Sequence, residues 1–213
     1  MNILITGANR GIGLEVAKTY RSQGHNVLAT AREGDEFLPL DVTDPASVQA
    51  LADTLKDQPI DLLICNAGVY LDKGQSTDTG YAADLWAQTF AVNTTGVFLT
   101  IQAMLPNIRS AKGKIAIISS QMASDTRAPG GSYIYRASKA AILNVGRNLA
   151  ADLKPEGIAV GIYHPGWVIT DMGGSEADIT VEDSATGLCD RFSDLSIDTT
   201  GCFLTWDGQE HPY

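Results

Sequence analysis

Short β-rich runs alternate with helix-periodic segments along the whole chain, and this alternation limits the fold more than any other feature. The runs lie at residues 3–5, 27–31, 60–65, 115–118, 158–163 and 202–205. Between them, residues 13–23 put Val16, Ala17 and Tyr20 on one helical face before the stop at Gly24. Asp44 followed by Pro45 opens a second helix, with Val48, Leu51, Ala52 and Leu55 at helical spacing. Longer helices are expected over 83–107 and 133–153. Parallel neighbours need crossover connections, so this order predicts one α/β domain over residues 1–213 with a doubly wound, Rossmann-like parallel sheet. One connection departs from the pattern. Only residues 33–36 separate Arg32 from "FLPLDV", and four extended residues reach about 14 Å, too little for a helix. A third strand at 37–40 is therefore expected to be short or irregular, with the crossover helix missing and that sheet edge thinly covered.

Composition excludes several function classes. No apolar run approaches the roughly 18 residues of a membrane span. The start "MNILITGANRG" lacks the basic region and cleavage site of a signal peptide, so a cytoplasmic location is expected. Cys65, Cys189 and Cys202 share no metal-ligand spacing and read as buried thiols. A net charge of -10 opposes binding to phosphate backbones. Any anionic ligand must be held by local groups.

The turn "TGANRGIG", Thr6–Gly13, supplies such groups where the first strand passes into the first helix. Gly7 permits a tight turn, Gly11 lets backbone approach a pyrophosphate, and Gly13 allows helix and strand to pack closely. The helix N-terminus adds unpaired N–H groups and a positive dipole end. The spacing is G-x-x-x-G-x-G rather than G-x-G-x-x-G, so it is the position after a strand that points to phosphate binding.

Here the sequence resembles the short-chain dehydrogenase/reductase family. The glycine turn is joined, in order, by "NAG" at Asn66, Ala67 and Gly68, "VN" at Val92–Asn93, "SS" at Ser119–Ser120, Y-x-x-x-K at Tyr135 and Lys139, and "HPGWVIT" at His164–Thr170. The likeness spans nearly the whole chain and is nearest to small bacterial-type carbonyl reductases. It implies cofactor contacts from Gly7, Asn9, Arg10, Gly11, Ile12 and Gly13, from Asp41 and Val42 near the adenine, from Asn66–Gly68, and from Pro165, Gly166, Val168 and Thr170. It also implies a homodimer through the two long helices.

Elementary chemistry points the same way. Tyr135 and Lys139 share a helical face, while Tyr133 turns away. Tyr135 is the candidate general acid, and Lys139 is expected to lower its pKa and, by resemblance, to bond the nicotinamide ribose. Ser120, at a strand's carboxyl end, is chosen over Ser119 and Ser124 to hold a substrate carbonyl. Asn93 stands where a helix disfavours it, and the resemblance implies that it holds a water in a proton relay with Lys139. For the cofactor, Ala31 occupies the place of an acid that would favour NAD, whereas Arg32 and Arg10 suit the 2'-phosphate of NADP. Glu33, Asp35 and Glu36 would oppose that phosphate if they faced inward. The predicted activity is hydride transfer between NADP(H) and a small carbonyl, at a shallow site with Trp167 bracing the following segment and Met172 near the pocket. No partner nucleic acid, membrane or metal is expected. A non-catalytic NADP-binding regulator or signalling protein of the same fold is the alternative.

Overall fold

The computed structural model describes all 213 residues. Its strands are β1 (Asn2–Ile5), β2 (Asn26–Ala31), β3 (Leu38–Pro39), β4 (Leu62–Cys65), β5 (Lys114–Ile118), β6 (Ala159–His164) and β7 (Phe203–Thr205). They form one sheet in the order β3-β2-β1-β4-β5-β6-β7, and every adjacent pair is parallel. The helices are α1 (Gly11–Ser22), α2 (Pro45–Thr54), α3 (Ala83–Phe90), α4 (Val97–Ala111), α5 (Tyr133–Leu153) and α6 (Val181–Asp194).

Strand alternation builds two cores. Leu4, Leu63, Ile115, Ile117, Val160 and Ile162 face α2, α4 and α5, while Ile3, Ile5, Ile64, Ala116 and Tyr163 face α1 and α6. Successive side chains point to opposite faces, and both faces of a doubly wound sheet are covered, so nearly every strand residue is apolar. Each fully buried isoleucine or leucine contributes about 2 kcal/mol of transfer free energy. The order in which strands are added reverses between β1 and β4, which opens a crevice above their carboxyl ends.

The β2–β3 connection contains no helix. Thr30 pairs with Leu38 and Ala31 with Pro39, after a turn in which Phe37 N–H donates to Gly34 O at 3.1 Å. Six residues suffice because only two residues pair, so β3 is shorter than the expected 37–40. At the other edge the chain folds back along β7. His211 N–H donates to Phe203 O and Thr205 N–H to Gln209 O, both at 2.9 Å.

The segment expected as one helix over 83–107 is continuous but interrupted by a π-helical turn, Ala91–Gly96. A Cβ at Gly96 would lie 2.6 Å from Val42 O, so glycine there lets the helix press against the chain after β3. The helix continues through Pro106 to Ala111, anchored where Asn107 Nδ2 donates to Leu55 O at 2.6 Å and Gln58 O at 2.9 Å. Helix α6 was not anticipated. Its start is set by Thr180, whose hydroxyl accepts from Asp183 N–H at 3.0 Å, a Thr-x-x-Asp capping pattern visible in the sequence. No helix is long and apolar enough to cross a membrane.

Candidate active site

The glycine turn is fixed from below by the Asn66–Gly68 segment. Asn66 Nδ2 donates to Thr6 O at 3.0 Å and Gly7 O at 2.9 Å, and Thr6 Oγ1 accepts from the backbone N–H groups of Asn66 and Ala67, both at 3.0 Å. Gly7 and Gly11 adopt φ of 65° and 54°, the left-handed region open to glycine. A Cβ at Gly7 would stand 2.9 Å from Ala67 Cα, and one at Gly13 would strike the Asn66 amide and lie 2.5 Å from Gly7 O. Arg10, the extended residue before α1, gives that helix no side-chain cap. The end of α1 therefore opens with its dipole and amides onto a cleft of about 560 Å³. An uncapped helix end beside a glycine cradle fits the diphosphate of a dinucleotide.

Gly7, Asn9, Arg10, Gly11 and Ile12 line this cleft, with Arg32, Asp41, Val42, Asn66, Ala67, Gly68, Tyr135, Lys139, Pro165 and Thr170. Gly13, Asn93, Ser120, Gly166 and Val168 are not among the lining residues; Gly13, Asn93, Ser120 and Val168 are buried, and Ser119, not the expected Ser120, is the serine in the lining. Val168 is turned inward and buried, while its neighbours Ile169 and Thr170 face the cleft. At the end of the cleft beside β3, Asp41 Oδ1 accepts from Thr43 N–H at 2.9 Å and Thr43 Oγ1 at 2.7 Å. These bonds, and then nearby Arg32, hold its carboxyl below the usual carboxylate range. Ala31 is buried, and Glu33, Asp35 and Glu36 are exposed and absent from the cleft wall. Arg10 departs from its expected place beside Arg32. Its guanidinium pairs at 2.7 Å with Asp171 on the segment after β6, and both side chains are largely exposed. Such a pair adds at most about 1 kcal/mol.

Tyr135 and Lys139 converge from one face of α5, with Lys139 Nζ 5.7 Å from the phenol ring centre, while Tyr133 faces solvent. The net shift of the phenol runs opposite to the expected one, with burial as its cause. Burial pushes the Tyr135 phenol up to about 12, opposed by the Ser120 hydroxyl and reinforced by Tyr70 and Asp72. Burial also pulls the Lys139 ammonium down to about 8. The phenolate and the ammonium are both poorly solvated here, and the desolvation cost exceeds their mutual attraction. Lys139 Nζ donates to Ile118 O at 3.0 Å. Ser119 Oγ donates to Lys139 O at 3.1 Å, while Ser120 Oγ accepts from Met122 N–H at 3.1 Å and so begins a short 3-10 turn. The side chain of Asn93 braces protein: Oδ1 accepts from Val69 N–H at 2.8 Å, and Nδ2 donates to Val69 O at 2.9 Å and Ser138 Oγ at 3.0 Å.

Two residues escaped the sequence reading. Tyr70 stacks on Tyr135 with ring centres 4.4 Å apart, and Asp72 is buried at the start of α5. Loop residues so distant in sequence carry no periodic signal. Cys65 and Cys189 are buried free thiols, both pushed up to about 12 by burial.

A family model described as short chain dehydrogenase matches residues 1–179. The chain belongs to this family. Among relatives, C-signal of Myxococcus xanthus is 38% identical over 168 residues, which is 78% of this chain and 100% of that protein. The 1-hydroxy-2-glutathionyl-2-methyl-3-butene dehydrogenase of Rhodococcus sp. (strain AD45) is 34% identical over 97% of this chain and 96% of its own. Among solved structures, the NADPH bound carbonyl reductase from chicken fatty liver superposes with a TM-score of 0.90 at 32% identity, covering 100% of this chain and 98% of that one. Carbonyl reductase Sniffer of D. melanogaster gives 0.93 at 28% identity, covering 100% and 99%. The overall fold is thus shared with carbonyl reductases of known structure.

Proposed function

We propose that this short-chain dehydrogenase reduces a neutral carbonyl with NADPH, Tyr135 delivering the proton. The observation that carries the reading is a buried phenol in the wall of a cleft whose far end is an uncapped helix over a glycine cradle. When bound, NADPH supplies the hydride. Gly7–Ile12 hold its diphosphate through backbone amides, and Arg32 faces the 2'-phosphate, with Glu33, Asp35 and Glu36 outside the cleft wall. NADP is favoured over NAD for that reason and because the chicken fatty liver relative is described as NADPH bound.

The raised pKa keeps Tyr135 protonated at neutral pH, the state needed to donate a proton to a developing alkoxide. Ser120, whose hydroxyl already bears on the phenol, shares the substrate oxygen. Lys139 meets the ribose, and Asn93 sets the π turn that faces α5. Ile169 and Met172 line the mouth, and Trp167 braces that segment through Nε1 to Gly173 O at 3.0 Å. On this lip Asp171 is already paired with Arg10, which leaves apolar Ile169 and Met172 to meet an uncharged ketone or aldehyde.

NADPH oxidation with a panel of carbonyls, followed by absorbance, tests this. Tyr135→Phe is expected to lose about 1,000-fold in turnover while binding NADPH normally, and surviving turnover would remove Tyr135 from the role. A second reading, a non-catalytic NADP-binding signalling protein, is favoured by the relative named C-signal. Tight NADPH binding with no oxidation by any carbonyl would select it.

A further inference from the structure

The start of α5 lacks a local cap. Ser132, which precedes it, sits at φ 49° and offers no side-chain bond to the first turn. Its hydroxyl is bonded to Tyr70 Oη instead. The first-turn amides of Ile134 and Tyr135 are buried, and an orphaned buried donor is costly. Both are satisfied from 62–63 positions earlier in the chain. Asp72 Oδ2 accepts from Ile134 N–H at 2.9 Å and Oδ1 from Tyr135 N–H at 3.2 Å. Asp72 is 0% exposed and has no lysine or arginine partner. Its counter-charge is the positive end of α5 itself.

We infer that Asp72 is the positioning residue for Tyr135: its carboxylate clamps the backbone that carries the phenol and thereby sets where the acid stands in the cleft. This deepens the function proposed above and rests on it. The same loop contributes at three successive points. Val69 is held by Asn93, Tyr70 stacks on the Tyr135 ring, and Asp72 holds the Tyr135 backbone. The loop is a back-plate to the catalytic turn. A rotation of the first turn of α5 would move the phenol without disturbing the glycine cradle, which lies on other elements.

The carboxylate also acts on the phenol through charge. The groups facing the phenol are Tyr70 and Asp72 from this loop, Ser120 from the end of β5, and Lys139 from α5. Of these, Asp72 brings negative charge and opposes the phenolate.

The test compares wild type with Asp72→Ala and the isosteric Asp72→Asn, whose single carbonyl oxygen can hold one amide without charge. NADPH affinity is expected to be unchanged in both variants. The kcat for carbonyl reduction is expected to fall about 100-fold in Asp72→Ala and less in Asp72→Asn, as a misplacement of about 1 Å does, with little change in KM. In the alcohol-oxidation direction, the limb rising with Tyr135 ionisation should move to lower pH in both. Unchanged kcat, an unmoved limb in the Asn variant, or an equal loss of NADPH binding would overturn the inference. If wild type oxidises NADPH with no carbonyl, the proposed function fails by itself. Amide hydrogen exchange over residues 133–136 then decides the role of Asp72: selective acceleration in the variants supports it, and unchanged protection overturns it.

Discussion

Two helix N-termini meet at this cleft, and they are finished in opposite ways. The end of α1 carries no side-chain cap and opens onto the cleft, its shape set by glycines and the Asn66 amide. The end of α5 is stoppered by a buried carboxylate delivered from another loop. Both ends have the same dipole and the same orphan amides. Left open, they form a receptor for an anion; closed, they form a rigid mount for a side chain. The end proposed for the cofactor and the end proposed for proton transfer thus differ in what completes them: a ligand in one case, the protein's own charge in the other.

The largest effect is expected at the closed end, where buried charge is costly. Lys139 is 4% exposed with its ammonium pulled down to about 8 from the ordinary 10.5. Below about pH 8 the folded protein bears the penalty for the charged form, and the penalty is relieved as pH rises from about 8 to 10.5. Lys139→Met should therefore abolish turnover yet stabilise the protein by about 3 kcal/mol at pH 7, with the gap closing above pH 8, as read by urea unfolding. No stabilisation would mean that the site already compensates the ammonium.

At the open end, Gly13→Ala should cost about 2 kcal/mol by overpacking the Asn66 amide and Gly7 carbonyl. It should also weaken NADPH binding, measured by fluorescence titration. A smaller change sharpens the contrast directly. Arg10→Asp places a carboxylate at the extended position before α1 and makes that end resemble α5. Stability should rise by about 1 kcal/mol while NADPH affinity falls, and an affinity gain would sink the idea that the open end is the receptor. The least effect belongs to Asp171→Ala, which breaks an exposed ion pair and should move stability by less than about 1 kcal/mol.

The parts of this molecule legible from sequence are those governed by local periodicity. Helix α5 begins and ends at 133 and 153 as its pattern indicates, and the absent β2–β3 helix follows from chain length alone. The π turn was not legible, because it depends on Gly96 meeting the Val42 carbonyl across the fold. The glycine turn and the Tyr135–Lys139 pair could be read from spacing, but the direction of their pKa shifts could not. Proximity of opposite charges suggested mutual stabilisation, whereas the deciding quantity was burial, which two residues one helical turn apart do not reveal. Asp72 was invisible for a related reason: a single loop aspartate acquires its role only when a segment 62 residues away arrives. Helix α6 did have a readable mark in Thr180 and Asp183.

Both margins of the sheet are blunt. On one side the last strand is two residues long and ends in Pro39, which has no N–H to offer. On the other, the returning tail occupies the outward N–H of Thr205 and the carbonyl of Phe203. A neighbouring chain finds its ladder blocked along β7, while beside the two-residue β3 only the outer edge of β2 at residues 26–29 is left uncovered, so any edge-to-edge stacking of the folded form is confined to that short stretch.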